Sequence, residues 1–165
     1  MFEKIRKMKN QKGFTLVELI VVLVILAILA ALLVPALTGY IDKANKEKVI
    51  ATTRMVVMAA QTEVSEKYGL KASGELTPVT LAKAATKTGG TNGVSDSIDI
   101  DQIAKLAEVA DKDANFVNGV TKISVTYDKK GHVTQAEVEQ SGFKCIYKAT
   151  PSTGEDKYTV TDTRS

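Results

Sequence analysis

The segment Phe14–Leu37 constrains this chain more than any other. Of its 24 residues 21 are apolar, and the exceptions are Thr15, Glu18 and Pro35. As a helix it would be about 36 Å long at about 1.5 Å per residue, enough to cross the hydrocarbon core of a bilayer. The residues ahead of it are basic. Lys4, Arg6, Lys7, Lys9 and Lys12 stand against a single acid, Glu3, so residues 1–13 carry a net charge of +4. The whole chain sums to +3, which leaves residues 14–165 at −1. The basic excess is confined to those first residues. A nucleic-acid-binding body would need cations along its binding face, and this body has no such excess.

A basic stretch followed by an apolar run implies an encounter with a membrane. A secretory signal has an apolar region of about 7–15 residues and a small-x-small cleavage site. Here Leu19–Val34 alone gives sixteen uninterrupted apolar residues, and Val34-Pro35-Ala36 is a poor cleavage site. A plain transmembrane anchor fits the length. Five Lys/Arg before the run, against Lys43, Lys46 and Lys48 after it, would place the N-terminus inside. Neither reading accounts for Glu18, about 6 Å along the axis from Phe14. A carboxylate among Leu and Val is either an acid tolerated near a helix end or a functional group with a partner.

The run Lys12-Gly13-Phe14-Thr15-Leu16-Val17-Glu18, with its basic leader and long apolar helix, resembles the type IV prepilin family. The resemblance covers about 40 residues and includes Pro35 and Tyr40. It departs at Ala27, where many members have Gly; Ala is the better helix former, so any loosening should centre on Pro35. The resemblance implies that a membrane-embedded aspartyl prepilin peptidase cuts between Gly13 and Phe14 and methylates the new amine on Phe14. Gly13 lets a protease approach the backbone closely. The apolar helix would remain as the mature N-terminus, and Glu18 would pair with the Phe14 ammonium of a neighbouring subunit. Because an unpaired carboxylate is costly there, such pairing would set the register between helices. Pro35 lacks an N–H and clashes with the carbonyl of Ala31, so a kink or opening is expected, softened further by Gly39; the alternative is a simple end to the membrane helix.

Beyond Gly39 the pattern becomes amphipathic. Val49, Val56, Ala60 and Val64 recur at helical spacing, so one helix is expected from Phe14 to about Lys67, with Tyr68-Gly69 as its stop. Met55 and Met58 read as core or interhelical filler. Thr77-Pro78 reads as the cap and first residue of a short helix to about Thr88. Gly89-Gly90-Thr91-Asn92-Gly93 reads as a connecting loop, since it has neither the Lys nor the spacing of a phosphate-binding loop. Ile100, Ile103, Ala107 and Ala110 mark another helix, starting near Asp99. Asp111, Asp113 and Asn115 begin a calcium-loop pattern that then fails: Phe116 replaces the required Gly, and Lys122 stands where a bidentate Glu should be.

From Val120 the period becomes two. Ile123, Val125 and Tyr127, then Ala136 and Val138, then Phe143, Cys145 and Tyr147, then Tyr158 and Val160 describe a four-strand antiparallel meander with one buried face. Asp128-Lys129-Lys130-Gly131 is its first hairpin turn. The expected fold class is α+β: a long N-terminal helix, apolar then amphipathic, packed on a C-terminal antiparallel sheet. That order is also the pilin fold. The expected organisation is a leader over 1–13, a membrane or filament-core helix over 14–37, and a globular domain over 38–165. The domain would contain an amphipathic helix over 40–67 and the meander over 120–163.

The composition offers little for catalysis or metal binding. There is one Cys, one His and no Trp, and no nucleophile–base pair, acidic dyad or metal cluster stands out. Cys145 is expected buried and inert, and His132 solvated. A single Cys also precludes the loop disulfide that many Gram-negative pilins have, which leans toward pilins of anaerobic or Gram-positive bacteria. No enzyme activity and no cofactor are expected. The resemblance implies a structural subunit that enters the cytoplasmic membrane, N-terminus inside, and then polymerises with its own copies into a helical surface filament. It also implies an inner-membrane platform protein and an assembly ATPase as partners, with adhesion, twitching motility, biofilm formation or DNA uptake as uses. The alternative is a pseudopilin of a type II secretion system or competence pseudopilus.

Overall fold

A computed structural model describes residues 13–71, 75–84 and 98–164. Most of the leader, the second half of the helix expected after Pro78, and the loop Gly89–Gly93 lie outside the described residues. The elements in chain order are α1 (Leu16–Leu70), β1 (Val79–Ala84), α2 (Ile100–Leu106), β2 (Val120–Tyr127), β3 (Val133–Gln140), β4 (Phe143–Lys148) and β5 (Tyr158–Asp162). The chain divides into two compact units between Asp42 and Lys43.

In the first unit α1 starts at Leu16 and is helical at every residue through Pro35 and Gly39. It therefore does not end at Pro35. The Thr38 hydroxyl donates to the Val34 carbonyl at 3.0 Å, adding a side-chain bond in the turn that holds the proline. Every described residue from Gly13 to Ile41 is exposed within the chain.

The second unit is an α+β, pilin-like arrangement. Its part of α1 packs on an antiparallel five-stranded sheet of order β1-β2-β3-β4-β5. Val49, Val56, Ala60 and Val64, the stripe expected from helical spacing, are fully buried. They meet the inward residues Ile123, Val125, Ala136, Val138, Phe143 and Cys145, all at most 1% exposed. Burying one such Val side chain contributes roughly 1.5–3 kcal/mol, so the alternation of the strands and the stripe of the helix stabilise each other. Two polar residues of α1 lock its register on the sheet. Thr52 donates to the Gln140 Oε1 at 2.8 Å in the core. Gln61 donates to the Gly131 carbonyl at 2.7 Å and accepts from the Val133 N–H at 2.9 Å, so its amide acts as a strand partner for the end of β3.

The meander runs as expected, and its β2–β3 and β3–β4 connections are tight. Asp128 Oδ1 accepts from the N–H groups of Lys130 and His132, and Gly131 closes the turn at φ 77°. A Cβ at Gly131 would also lie 3.0 Å from Tyr68, so both backbone and space require glycine there. Ser141 and Gly142, both at positive φ, join β3 to β4 as a two-residue hairpin. On the solvent face Lys122 and Lys144 flank Glu137 and Glu139, the closest pair being Lys122–Glu137 at 2.8 Å.

Three expectations are corrected. Residues 79–84 form a strand rather than a helix. Val79 and Thr80 are β-branched, Leu81 is buried opposite Val125, and Thr80 shares a hydrogen bond with Thr126 across the pair. Pairing to β2 outweighs the helix-start signal of Thr77-Pro78. The sheet accordingly has five strands rather than about four. α2 starts as expected, with the Asp99 carboxylate accepting from the Asp101 N–H. It stops at Leu106 rather than Ala110, because Glu108 turns to φ 55°. Finally, of the two places expected for Met55 and Met58, the core is excluded, since they are 39% and 62% exposed. They lie on the face of α1 away from the sheet and line an open groove of about 350 Å³ with Leu106 and Ala107.

Candidate functional site

The residues singled out for processing and assembly, Gly13, Phe14 and Glu18, lie at the start of α1. Gly13, Phe14 and Thr15 precede the helix, and Phe14 is 78% exposed. The peptide between Gly13 and Phe14 is therefore not held in a helical hydrogen-bond ladder. Among the described residues, no atom beyond the adjoining residues lies within 4 Å of where a Cβ on Gly13 would sit.

The helix begins where it does because Thr15 and Glu18 form a reciprocal cap. The Glu18 N–H donates to the Thr15 Oγ1 at 3.2 Å, and the Thr15 N–H donates back to Glu18 Oε2 at 2.9 Å. The Thr15 hydroxyl adds a third bond to the same Oε2 at 2.8 Å. The Thr15 carbonyl accepts the first helical bond, from Leu19 N–H. This is the T-x-x-E capping box, which satisfies backbone donors that a helix start otherwise leaves open. The resemblance implies a partner for Glu18 in a second chain; the capping box gives it one in its own. The spacing of Thr15 and Glu18 was the available signal for a partner in its own.

After the cap comes a segment long and apolar enough to cross a membrane, none of it buried within the chain. Leu16, Leu23, Leu32 and Leu33 are 64–72% exposed. So much uncovered Leu, Ile and Val is incompatible with a helix left alone in water. Glu18 is the acid of its first turn, and Pro35 lies inside it.

Cys145, His132, Asp111 and Lys83 all lie in the sheet-bearing unit. Cys145 is fully buried, and burial pushes its thiol above the usual range, away from the reactive thiolate. His132 is largely exposed, beside Asp128 in the β2–β3 turn. Asp111 Oδ1 accepts from the N–H groups of Asp113 and Asn115, so the failed calcium pattern is a turn held by its own backbone. Lys83 reaches from β1 to the Asp101 carboxylate at 2.6 Å and to the Ala114 carbonyl, tying the first strand to α2 and the turn beyond. Among the described residues no three His, Cys, Asp or Glu side chains converge to hold a metal ion.

Residues 8–34 match the family described as the prokaryotic N-terminal methylation motif. That motif is the class III signal peptide of type IV pilins and pseudopilins. The match includes Gly13, Phe14 and Glu18 and stops one residue before Pro35. No curated protein and no solved structure matches the chain.

Proposed function

From a chain that carries this methylation motif ahead of a pilin-like α+β unit, we propose a structural subunit of a type IV pilus, made as a precursor and polymerised into a surface filament. The motif indicates a pilin-like or pseudopilin precursor, handled by a prepilin peptidase and assembled in a membrane complex. The single observation that carries the reading is the motif at residues 8–34.

In this reading the peptidase cuts the exposed, non-helical peptide after Gly13 and methylates the Phe14 amine. The cut removes the +4 of residues 1–13 and with it the electrostatic hold on the cytoplasmic face. The apolar helix then exchanges lipid for the helices of other copies. Glu18 pairs with the Phe14 ammonium of a neighbour, so a helix seated in the wrong register leaves a carboxylate uncompensated. Pro35 and Gly39 serve as the joint that lets helices adjust while they pack. The platform protein and assembly ATPase drive the movement, and the sheet-bearing unit faces outward, where adhesion and twitching take place.

N-terminal sequencing and mass spectrometry of the mature protein test the reading. The expected start is N-methylated Phe14; an intact Met1, or a start at Leu37, refutes it. Pseudopilins share the motif, and electron microscopy of sheared cells separates the two. Long surface filaments containing this chain support the pilus, and their absence from cells with processed subunit favours the pseudopilin.

A further inference from the structure

The capping box at the start of α1 is lopsided. Both Thr15 donors, N–H and hydroxyl, end on Glu18 Oε2, and among the described residues Oε1 accepts no hydrogen bond. An ionised carboxylate has acceptor sites on both oxygens, so one oxygen is committed and the other is open. We propose that Thr15 is the positioning residue of Glu18. It ties Oε2 to the start of its own helix and leaves Oε1 to accept the Phe14 ammonium of a second copy.

The physical case rests on three features. A glutamate side chain has several rotatable bonds, and fixing them for an intermolecular contact has an entropic cost. Here the intrachain bonds at 2.8 and 2.9 Å fix them before any neighbour arrives, which is preorganisation. The same bonds compensate the carboxylate while the chain is a single copy, without using the oxygen the neighbour needs. Lastly, the hydroxyl is both acceptor from the Glu18 N–H and donor to its carboxylate, a double use that Val, Ala or Gly cannot supply. The proposal rests on the filament reading above and adds Thr15 to it as a residue acting through Glu18.

The test uses the full chain in cells that process and assemble it. Variants Thr15→Val, Thr15→Gly, Thr15→Ser and Glu18→Ala are compared for leader removal, membrane content and sheared filament. Thr15→Val keeps the shape and loses the hydroxyl; Thr15→Ser keeps the hydroxyl. Thr15→Gly separates positioning from helix capping, because Gly serves nearly as well as Thr at the cap position but has no hydroxyl to hold Glu18. Expected are normal leader removal in all four, filament yield near wild type for Ser, and a fall in Val and Gly. That fall should be about ten-fold or more, the change that loss of a hydrogen bond to a charged group gives. Val or Gly assembling like wild type, Ser no better than Val, or an uncleaved Val precursor beside a cleaved Ser variant overturns the proposal. If Glu18→Ala blocks filaments while the Thr15 variants assemble, the proposal falls and the filament reading stands. If the wild-type chain is not cut after Gly13, both fall.

Discussion

Removing the amide of Gln61 should loosen the β2–β3 hairpin from α1 more than any other exposed-to-half-buried polar change on that helix. In the Gln61→Ala variant two hydrogen bonds are lost together, the one to the Gly131 carbonyl at 2.7 Å and the one from the Val133 N–H at 2.9 Å. Val133 is 4% exposed and Gly131 is buried, so water cannot readily replace the amide. Each bond contributes about 1 kcal/mol, and leaving a buried partner unsatisfied adds a further cost, for a gross loss of about 2–4 kcal/mol. Ala is the better helix former and returns a few tenths of a kcal/mol. The third bond of Gln61, to the exposed Ser65 hydroxyl, adds little. A net loss of about 2–3 kcal/mol is a large share of the roughly 5–15 kcal/mol that stabilises a domain, and lowers Tm by on the order of 10 °C. The assay is thermal unfolding of the processed protein in detergent, followed by near-UV circular dichroism, with hydrogen exchange at the Val133 amide. Four of the five tyrosines, Tyr68, Tyr127, Tyr147 and Tyr158, lie in the unit being probed. A melt within about 0.5 kcal/mol of wild type, the range of an ordinary surface change, or an unaltered Val133 exchange rate, refutes the reasoning. Ser65→Ala serves as the control and should leave both unchanged.

Gly13→Leu should leave the precursor unshifted on a gel, because a bulky side chain blocks approach to the peptide before Phe14; normal processing would overturn the cleavage assignment. Glu18→Ala should remain in the membrane fraction but yield no sheared filaments, and wild-type filament yield would remove its pairing role. Cys145 should resist thiol reagents in the folded protein and react on unfolding, since it is buried with its thiol raised above the ordinary value. Acid should weaken the outer face of the sheet. Burial alone would raise the Glu137 carboxyl, but Lys122 and Lys144 outweigh it and hold it below its ordinary 4.5. Its contribution is therefore present above about pH 4.5 and lost as pH falls through the lower folded value. Wild type should lose more Tm than Glu137→Gln between neutral and acid pH; equal losses would assign the acid sensitivity elsewhere.

Much of the candidate site was legible because its signals are local. Gly13, Phe14 and Glu18 stand out from a uniform apolar background, where a single carboxylate is conspicuous whatever the rest of the chain does. The helical stripe Val49, Val56, Ala60 and Val64 and the alternation of Ile123, Val125 and Tyr127 were equally plain, since each periodicity accumulates over several residues. Thr15 was passed over because its part depends on a hydrogen bond three residues away, although the capping pattern is short enough to read. The strand at residues 79–84 was misread for a different reason. Its six residues follow a helix-start signal in Thr77-Pro78, and the information that makes them extended lies some 40 residues later, in β2. Met55 and Met58 read as core or interhelical because Met suits either place, and only the packed fold puts them beside Leu106 and Ala107 rather than in the core.

The sequence by itself determined that this chain has a membrane-seeking helix with one acid near its start, a basic segment ahead of a glycine, and an α+β body. Hydrophobic periodicity, charge and turn chemistry act over a few residues and need no knowledge of partners. Only the tertiary structure decided that the sheet has a fifth strand and that Gln61 stitches α1 to the β2–β3 turn. It also decided that the outward face of α1 keeps its methionines. Strand pairing and burial depend on residues far apart in the chain, whose individual preferences are weak until the fold brings them together.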